Sequence, residues 1–459
     1  MQKTTLMFLV IFLMRIVLLN AEEQHTSPTL SPPQPSDPPR PWAELAENPL
    51  PLSEPFKDYT PVKVPNGTKL PYKVVDGVKV FHLIAEPIQW EIAKGLTINA
   101  WAFNGSVPGP VLEMAKGDRV RIYVTNSLPA PTTVHWHGFR IPCGMDGVAG
   151  LTQPAIPPGE TYTYEFICPD SATYMYHTHF DSMTQEGMGL IGMIIVHERE
   201  EDLKKRPDRD YVILLHEMAI PVDTATPDTV ESGGFNILTM NGKVMPDTEP
   251  LVAQIGDRVW IRFGNLSAMD HHPIHLHGYA FHIIGSDGGW LPKDTHTLPE
   301  TTVLVPVGAT RVISFLADNP GDWIFHCHMT HHIMNQMGHK FPNMIGMNTK
   351  GFDEKVRKLI PGYMTMGTTG MRDMTKSGMP IPPNSIPMLG FTGQFGSTVL
   401  GGMANILRVR DHIEEDEEIG PYHFPKGTVA WPTDPEEAQR DGIDLKLLSP
   451  TAVVPPNQG

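Results

Sequence analysis

His326-Cys327-His328-Met329-Thr330-His331-His332-Ile333-Met334-Asn335-Gln336-Met337 is the stretch on which the reading of the whole chain turns. Side chains alternate faces along a strand, so Cys327 points one way while His326 and His328 point the other. Such a segment offers sulfur to one metal and imidazole to others on its far side. His332 follows the cysteine by five residues and Met337 by ten. With a second histidine from elsewhere, these make a His₂Cys set with a long axial thioether, which suits electron-transfer copper.

Outward from this stretch the chain repeats itself. Phe103-Asn104-Gly105 returns as Met240-Asn241-Gly242, and Gly117-Asp118-Arg119-Val120 as Gly256-Asp257-Arg258-Val259. His135-Trp136-His137-Gly138 returns as His275-Leu276-His277-Gly278, and Tyr176-His177-Thr178-His179 as Phe325-His326-Cys327-His328. The spacing grows from 137 residues at Phe103/Met240 to 149 at Tyr176/Phe325. A period this long marks a duplicated domain rather than a solenoid. Alternating runs such as Arg119 to Val124 and Thr161 to Phe166, bounded by Gly, Pro and Asn, predict β-sandwiches. Both copies keep four imidazoles: His135, His137, His177 and His179 in the first, His275, His277, His326 and His328 in the second. The sulfur-containing set occurs once. Cys327 aligns with Thr178, His272 with Thr132, and His332 with Met183.

The 459 residues include 46 Pro and 41 Gly, which favours short strands and turns. A net charge of -16 argues against a nucleic acid or an anionic membrane as partner. Three cysteines are too few for a disulfide scaffold. Cys143 and Cys168 are read either as a disulfide or as two thiols. Residues 1–21 read as a signal peptide, with an uncleaved N-terminal anchor as the alternative. Either directs the chain to a periplasmic or extracellular location. Residues 22–71 form a Pro-rich arm, 72–200 the first domain and 208–349 the second. Residues 350–459 read as an irregular, Met-rich extension, with a short β-like run at Asn405 to Val409. Its methionines, Met364 to Met388, either bind Cu(I) or pack under a long loop.

Taken together, HWHG at 135–138, HTH at 177–179, HPIHLHG at 272–278 and HCHxxxHxxxxM at 326–337 resemble the copper-binding loops of multicopper oxidases. The resemblance spans about residues 72 to 349. It implies an all-β chain of two cupredoxin-like Greek-key β-sandwich domains, with the type 1 copper in the second. The implied type 1 ligands are His272, Cys327 and His332, with Met337 axial. His135 and His275 would hold type 2 copper. His137, His177, His179, His277, His326 and His328 would hold the type 3 pair, making four coppers per chain. His271 and His331 stand beside two of these ligands and would replace them if a loop shifted by one residue; His331 is also a candidate proton relay. Asp146 matches the acidic residue near the type 2 copper, although an Asp-Gly turn explains it equally from local chemistry. The acidic neighbour that some members carry beside the last type 1 histidine is absent.

The implied activity is that of a laccase-like oxidase. A phenol, an aromatic amine or Cu(I) would be oxidised one electron at a time, with electrons leaving through Cys327 and dioxygen reduced to water. Two alternatives are a copper store with little turnover and a copper nitrite reductase. Each domain supplies four cluster histidines and no spacer domain brings them together, so the resemblance also implies a homotrimer with clusters between subunits.

Overall fold

The computed structural model describes residues 43–199, 205–221, 224–230, 234–295, 298–335, 390–398, 400–414 and 419–445, with isolated positions between 355 and 386. The signal-peptide region, the start of the Pro-rich arm, Met337 and the methionines from Met364 to Met388 lie outside the described residues.

Two β-sandwiches follow one another. In the first, one sheet runs Lys73–Val75, Val78–Ala93, Arg119–Asn126, Thr161–Ile167, with Leu96–Phe103 paired to Val78–Ala93. The facing sheet runs Leu112–Ala115, Ile191–His197, Ala172–His177, His135–His137. Phe81, Leu83, Val120, Ile122, Trp136 and Tyr176 fill the space between them. The second sandwich repeats the plan. One sheet runs Ile237–Met240, Arg209–Met218, Arg258–Asn265, Thr310–Leu316, His282–Ser286, Gly289–Trp290; the other runs Leu251–Gln254, Ala404–Arg410, Gly321–Cys327, His272–Leu276, Thr302–Val305. Its core includes Val259, Ile261, Phe263, Phe281, Phe325 and Leu407.

The second sandwich does not end at residue 349. Ala404–Arg410 inserts between Leu251–Gln254 and Gly321–Cys327, parallel to the first and antiparallel to the second. Ile191–His197 holds the matching place in the first sandwich. Part of the supposed extension is thus an inner strand. Its burial alternates, with Leu407 and Val409 buried and Ile406 and Arg408 half-buried, as one core-facing side requires.

The arm also departs from expectation, because its later half is packed. Ser53, Tyr59 and Val62 are buried. Lys63 donates its N–H to Asp210 O at 2.7 Å and accepts from Val212 N at 3.0 Å. Val62 N–H donates to the Glu113 carboxylate at 2.7 Å. The segment therefore touches both sandwiches.

The two sandwiches share an apolar interface. Ile191–His197 is buried along its whole length, and so is nearly all of Arg209–Met218. Such non-alternating apolar runs mark strands covered on both faces. Met175, Met193, Val212, Leu214 and Leu266 meet between them. Arg262 crosses the same boundary: fully buried, it donates to both Asp210 oxygens at 2.8 and 2.9 Å and to Thr173 Oγ1 at 2.9 Å.

Candidate metal centres

The strand pair His272–Leu276 and Gly321–Cys327 brings the decisive residues together. Ile274 faces Cys327 and His275 faces His326 across the ladder. Phe325 and Cys327 are buried while His326 between them is half-buried, so the alternation expected from sequence holds. A short 3₁₀ turn, Thr330–Ile333, then folds His332 back over the sulfur. His332 Nδ1 lies 3.3 Å from Cys327 Sγ, His272 Nδ1 lies 3.8 Å from it, and the two nitrogens are 3.2 Å apart. All three residues are buried. Both neighbours that might have replaced these histidines are exposed. His271 Nδ1 accepts instead from Val307 N–H at 3.0 Å.

The outer nitrogens of this set are held too. Ser267 Oγ lies 2.7 Å from His272 Nε2, and an Asp270 carboxylate oxygen lies 3.4 Å from His332 Nε2. Sequence reading missed both, since they precede His272 in a loop without a motif. Asp270 reaches His332 from another loop.

Burial decides the protonation of this set. It pushes His272 down to about 3, with the charge of His332 adding to the effect. It pushes the Cys327 thiol up to about 12. Neutral imidazoles are ready ligands, but a thiol this reluctant to ionise becomes a thiolate only against a bound cation. Two imidazole nitrogens and a sulfur that converge, with their outer atoms anchored, fit copper by donor chemistry.

The remaining eight histidines form two sets of matching shape. In the first, His135 pairs with His177 across the ladder; in the second, His275 pairs with His326. The His135 ring stands edge-on to His137, His177 and His179 at 5.8, 5.3 and 5.6 Å. The His275 ring stands edge-on to His277, His326 and His328 at 4.8, 5.9 and 5.5 Å. His137 to His177 is 5.5 Å at 53°, and His277 to His326 is 5.4 Å at 49°. Among the described residues no hydrogen bond or ring contact joins one set to the other. His179, His277 and His328 are exposed.

The surroundings of the two sets differ. His135 Nδ1 donates to the Asp146 carbonyl at 2.7 Å, and the Asp146 carboxylate lies 3.5 Å from the same nitrogen. Asp146 is therefore in contact with the site. The turn that carries it needs glycine at 147, where φ is +88° and a Cβ would fall 1.9 Å from Val134 O. In the second copy, Thr301 O takes the carbonyl's place against His275 Nδ1 at 2.7 Å. His177 Nδ1 donates to Thr178 O at 2.8 Å and lies 3.1 Å from Glu186, a residue that sequence reading passed over. Burial opposes protonation of His177, but the hydrogen bond and charge of Glu186 outweigh it and hold the ring above its ordinary value. His137 is pushed down to about 4 by burial and then by His177 and His135. The first set opens on a cavity of about 310 Å³, closed on its other side by Leu266, Ser267, Val307 and Gly308 of the second sandwich.

In the first sandwich a polar network occupies the place of the sulfur set. Thr132 and Thr178 both donate to Gln185 Oε1, at 2.7 and 2.6 Å. The third position is filled by buried Gln185 rather than by Met183, which alignment set opposite His332 but which is 62% exposed. Cys143 is exposed, Cys168 is buried with its Sγ 3.1 Å from Met114 Sδ, and both are free thiols. The disulfide reading is set aside.

Comparison with known proteins agrees with this geometry. Residues 85–201 match one multicopper oxidase domain model and residues 219–346 match a second. Copper resistance protein A of Pseudomonas syringae pv. tomato is 41% identical over 116 residues, covering 25% of this chain and 19% of that protein. Laccase-2 of Cryptococcus neoformans var. grubii is 28% identical over 216 residues, covering 41% of this chain and 36% of that protein. The chain thus spans well under two thirds of the length of these relatives. The solved structure of the blue copper oxidase from Nitrosomonas europaea is 26% identical with a TM-score of 0.53, covering 72% of this chain and 85% of that one. Two matched domains in tandem, on sandwiches that carry the histidine sets described above, show that the chain belongs to the multicopper oxidase family.

Proposed function

We propose that the chain is a laccase-like oxidase that takes single electrons from a small reducing substrate and passes them to dioxygen, forming water. The observation that carries this reading is the placement of Cys327. Its sulfur meets His272 and His332 on the core side, while its peptide neighbours His326 and His328 belong to the outward imidazole set. Copper held there would supply one-electron chemistry at the buried set and dioxygen binding and reduction at the imidazole sets. In this reading His272, Cys327 and His332, together with Met337, would hold type 1 copper. His135 and His275 would hold type 2 copper and the other six histidines the type 3 pair, giving four coppers per chain.

The protein's own groups have definite tasks. Cys327 and its two peptide bonds make a covalent path from the buried set to His326 and His328. Burial excludes water from the sulfur. Asp146, beside His135, holds or donates a proton, which dioxygen reduction consumes. Asp270 reaches His332 Nε2 from a half-exposed position, so an electron donor docked there would stand one residue from the buried set. A phenol, an aromatic amine or Cu(I) all fit that requirement.

The separation of the two imidazole sets within a chain supports a homotrimer. Head-to-tail contacts close most simply into rings, and the first set of one chain would then meet the second set of the next. Export to the periplasm or outside the cell completes the reading. Oxygen uptake by copper-loaded protein, with phenols, aromatic amines and Cu(I) as donors, tests it. Uptake with one donor class is the expected result; copper binding without uptake would leave the copper-store alternative standing.

A further inference from the structure

Ser267 stands out because the duplicated fold supplies its own control. Both copies contain the same asparagine-anchored loop. In the first, Asn126 Oδ1 accepts from Leu128 N–H at 2.9 Å, and Nδ2 donates to Ala130 O and Ile156 O at 2.9 and 2.8 Å. In the second, Asn265 Oδ1 accepts from Ser267 N–H at 2.9 Å, and Nδ2 donates to Asp270 O and Val305 O, each at 3.0 Å. The hydrogen-bond plan agrees, the second loop is one residue longer, and the order Ser127-Leu128 becomes Leu266-Ser267. Leu128 is core filler. Ser267 replaces it in the copy that carries the sulfur set, with its hydroxyl 2.7 Å from His272 Nε2.

The same residue has a second neighbour. With Leu266, Val307 and Gly308 it closes the cavity into which His135, His137 and His177 converge. One residue therefore touches the buried set and borders the first imidazole set of the same chain. His272 turns Nδ1 toward Cys327, so with copper on Nδ1 its proton would reside on Nε2 and be donated to Ser267 Oγ. The hydroxyl hydrogen of Ser267 is then left to point elsewhere, and a hydroxyl can donate while accepting. Linked hydrogen bonds polarise one another, and a partner on a ligand's outer nitrogen tunes the metal.

We infer that Ser267 is a positioning residue that couples the His272–Cys327–His332 centre to the first-domain histidine centre of the same chain. The coupling rests on the copper reading above. Charge in the cavity would polarise the Ser267 hydroxyl, alter the basicity of His272 and so shift the reduction equilibrium of the buried centre. This link runs opposite to the covalent path through His326 and His328, which leads to the other imidazole set.

The test is a redox titration of the copper-loaded protein, followed by its thiolate-to-copper absorption. Wild type, Ser267→Ala, His137→Ala and the double variant are compared. Ser267→Ala should keep the absorption and shift the midpoint. His137→Ala should change the reduction equilibrium constant by roughly fivefold or more in the presence of Ser267, and by much less in its absence. Equal changes in both backgrounds would mean that the centres interact through space, and would overturn the inference. Ser267→Thr and Ser267→Val, alike in shape, repeat the comparison should the alanine variant not fold; only the threonine variant should keep the coupling. No absorption in copper-loaded wild type would instead defeat the copper reading itself.

Discussion

At Cys327 a single atom separates two outcomes. Its thiol, pushed up to about 12 by burial, has no reason to ionise without a cation. Cys327→Ser should therefore abolish the blue absorption and oxygen uptake while leaving the imidazole-bound copper in place. Metal analysis beside the absorption spectrum checks this, and a surviving blue band would refute the assignment. Asp146 offers a cleaner separation of roles than most acidic residues. Its carbonyl orients His135 and its carboxylate stands alongside. Asp146→Asn keeps the first and removes the charge of the second. We expect dioxygen reduction to slow by about 100-fold, with substrate reduction of the buried centre unchanged in stopped-flow absorption. Glu217 is the third case. Burial raises it to about 8 even though the N–H groups of Met269 and Asp270 donate to it. A carboxyl raised on folding keeps its proton in the native state after the unfolded chain has lost it, so the stability it contributes is full below about 4.5 and is lost as pH climbs from there through about 8. Denaturant midpoints should fall across that range in wild type and fall less in Glu217→Gln.

The elements explain why the buried set depends on residues far along the chain. Cys327 N–H donates to Met403 O at 3.0 Å, and Met403 N–H donates to His332 O at 2.8 Å. Gly401 N–H donates to Ile333 O at 2.8 Å. The 3₁₀ turn bearing His332 is thus held by the residues that lead into the strand Ala404–Arg410. A chain ended at residue 349 keeps every recognised ligand but loses that strand. It should lack a folded second sandwich and show no blue absorption. The loss of Leu407 and Val409 from the core alone costs about 1.5–3 kcal/mol for each side chain, and the strand Gly321–Cys327 is left with an unpaired edge. A truncated protein with native circular dichroism and a blue band would contradict this.

For the whole molecule the question is where the two imidazole sets meet. The first set lines a cavity, His277 and His328 of the second are exposed, and no hydrogen bond or ring contact links the two sets within the described residues. Mixing two inactive variants, His137→Ala and His277→Ala, decides the matter. In a ring assembled from both, some interfaces carry both lesions and others neither, so part of the activity should return on co-refolding. A cluster built within one chain predicts no recovery at any ratio. Sedimentation of active protein as a monomer would also end the trimer proposal.

Much of this was legible in one dimension. The duplicated plan and the alternation around Cys327 follow from spacing and strand periodicity, which the chain shows directly, whereas the ligand set comes as what the family resemblance implies. The family spacing favours His272 over His271 and His332 over His331, and the fold agrees: His272 and His332 are buried beside Cys327 while His271 turns to Val307. Nothing local announces Ser267, Asp270, Glu186 or Gln185, because each acts on a histidine from a loop without a motif. The strand Ala404–Arg410 looked like part of an irregular tail, since a seven-residue run carries no record of its partners. Its place between Leu251–Gln254 and Gly321–Cys327 is set by long-range hydrogen bonding and by the apolar space those strands leave unfilled.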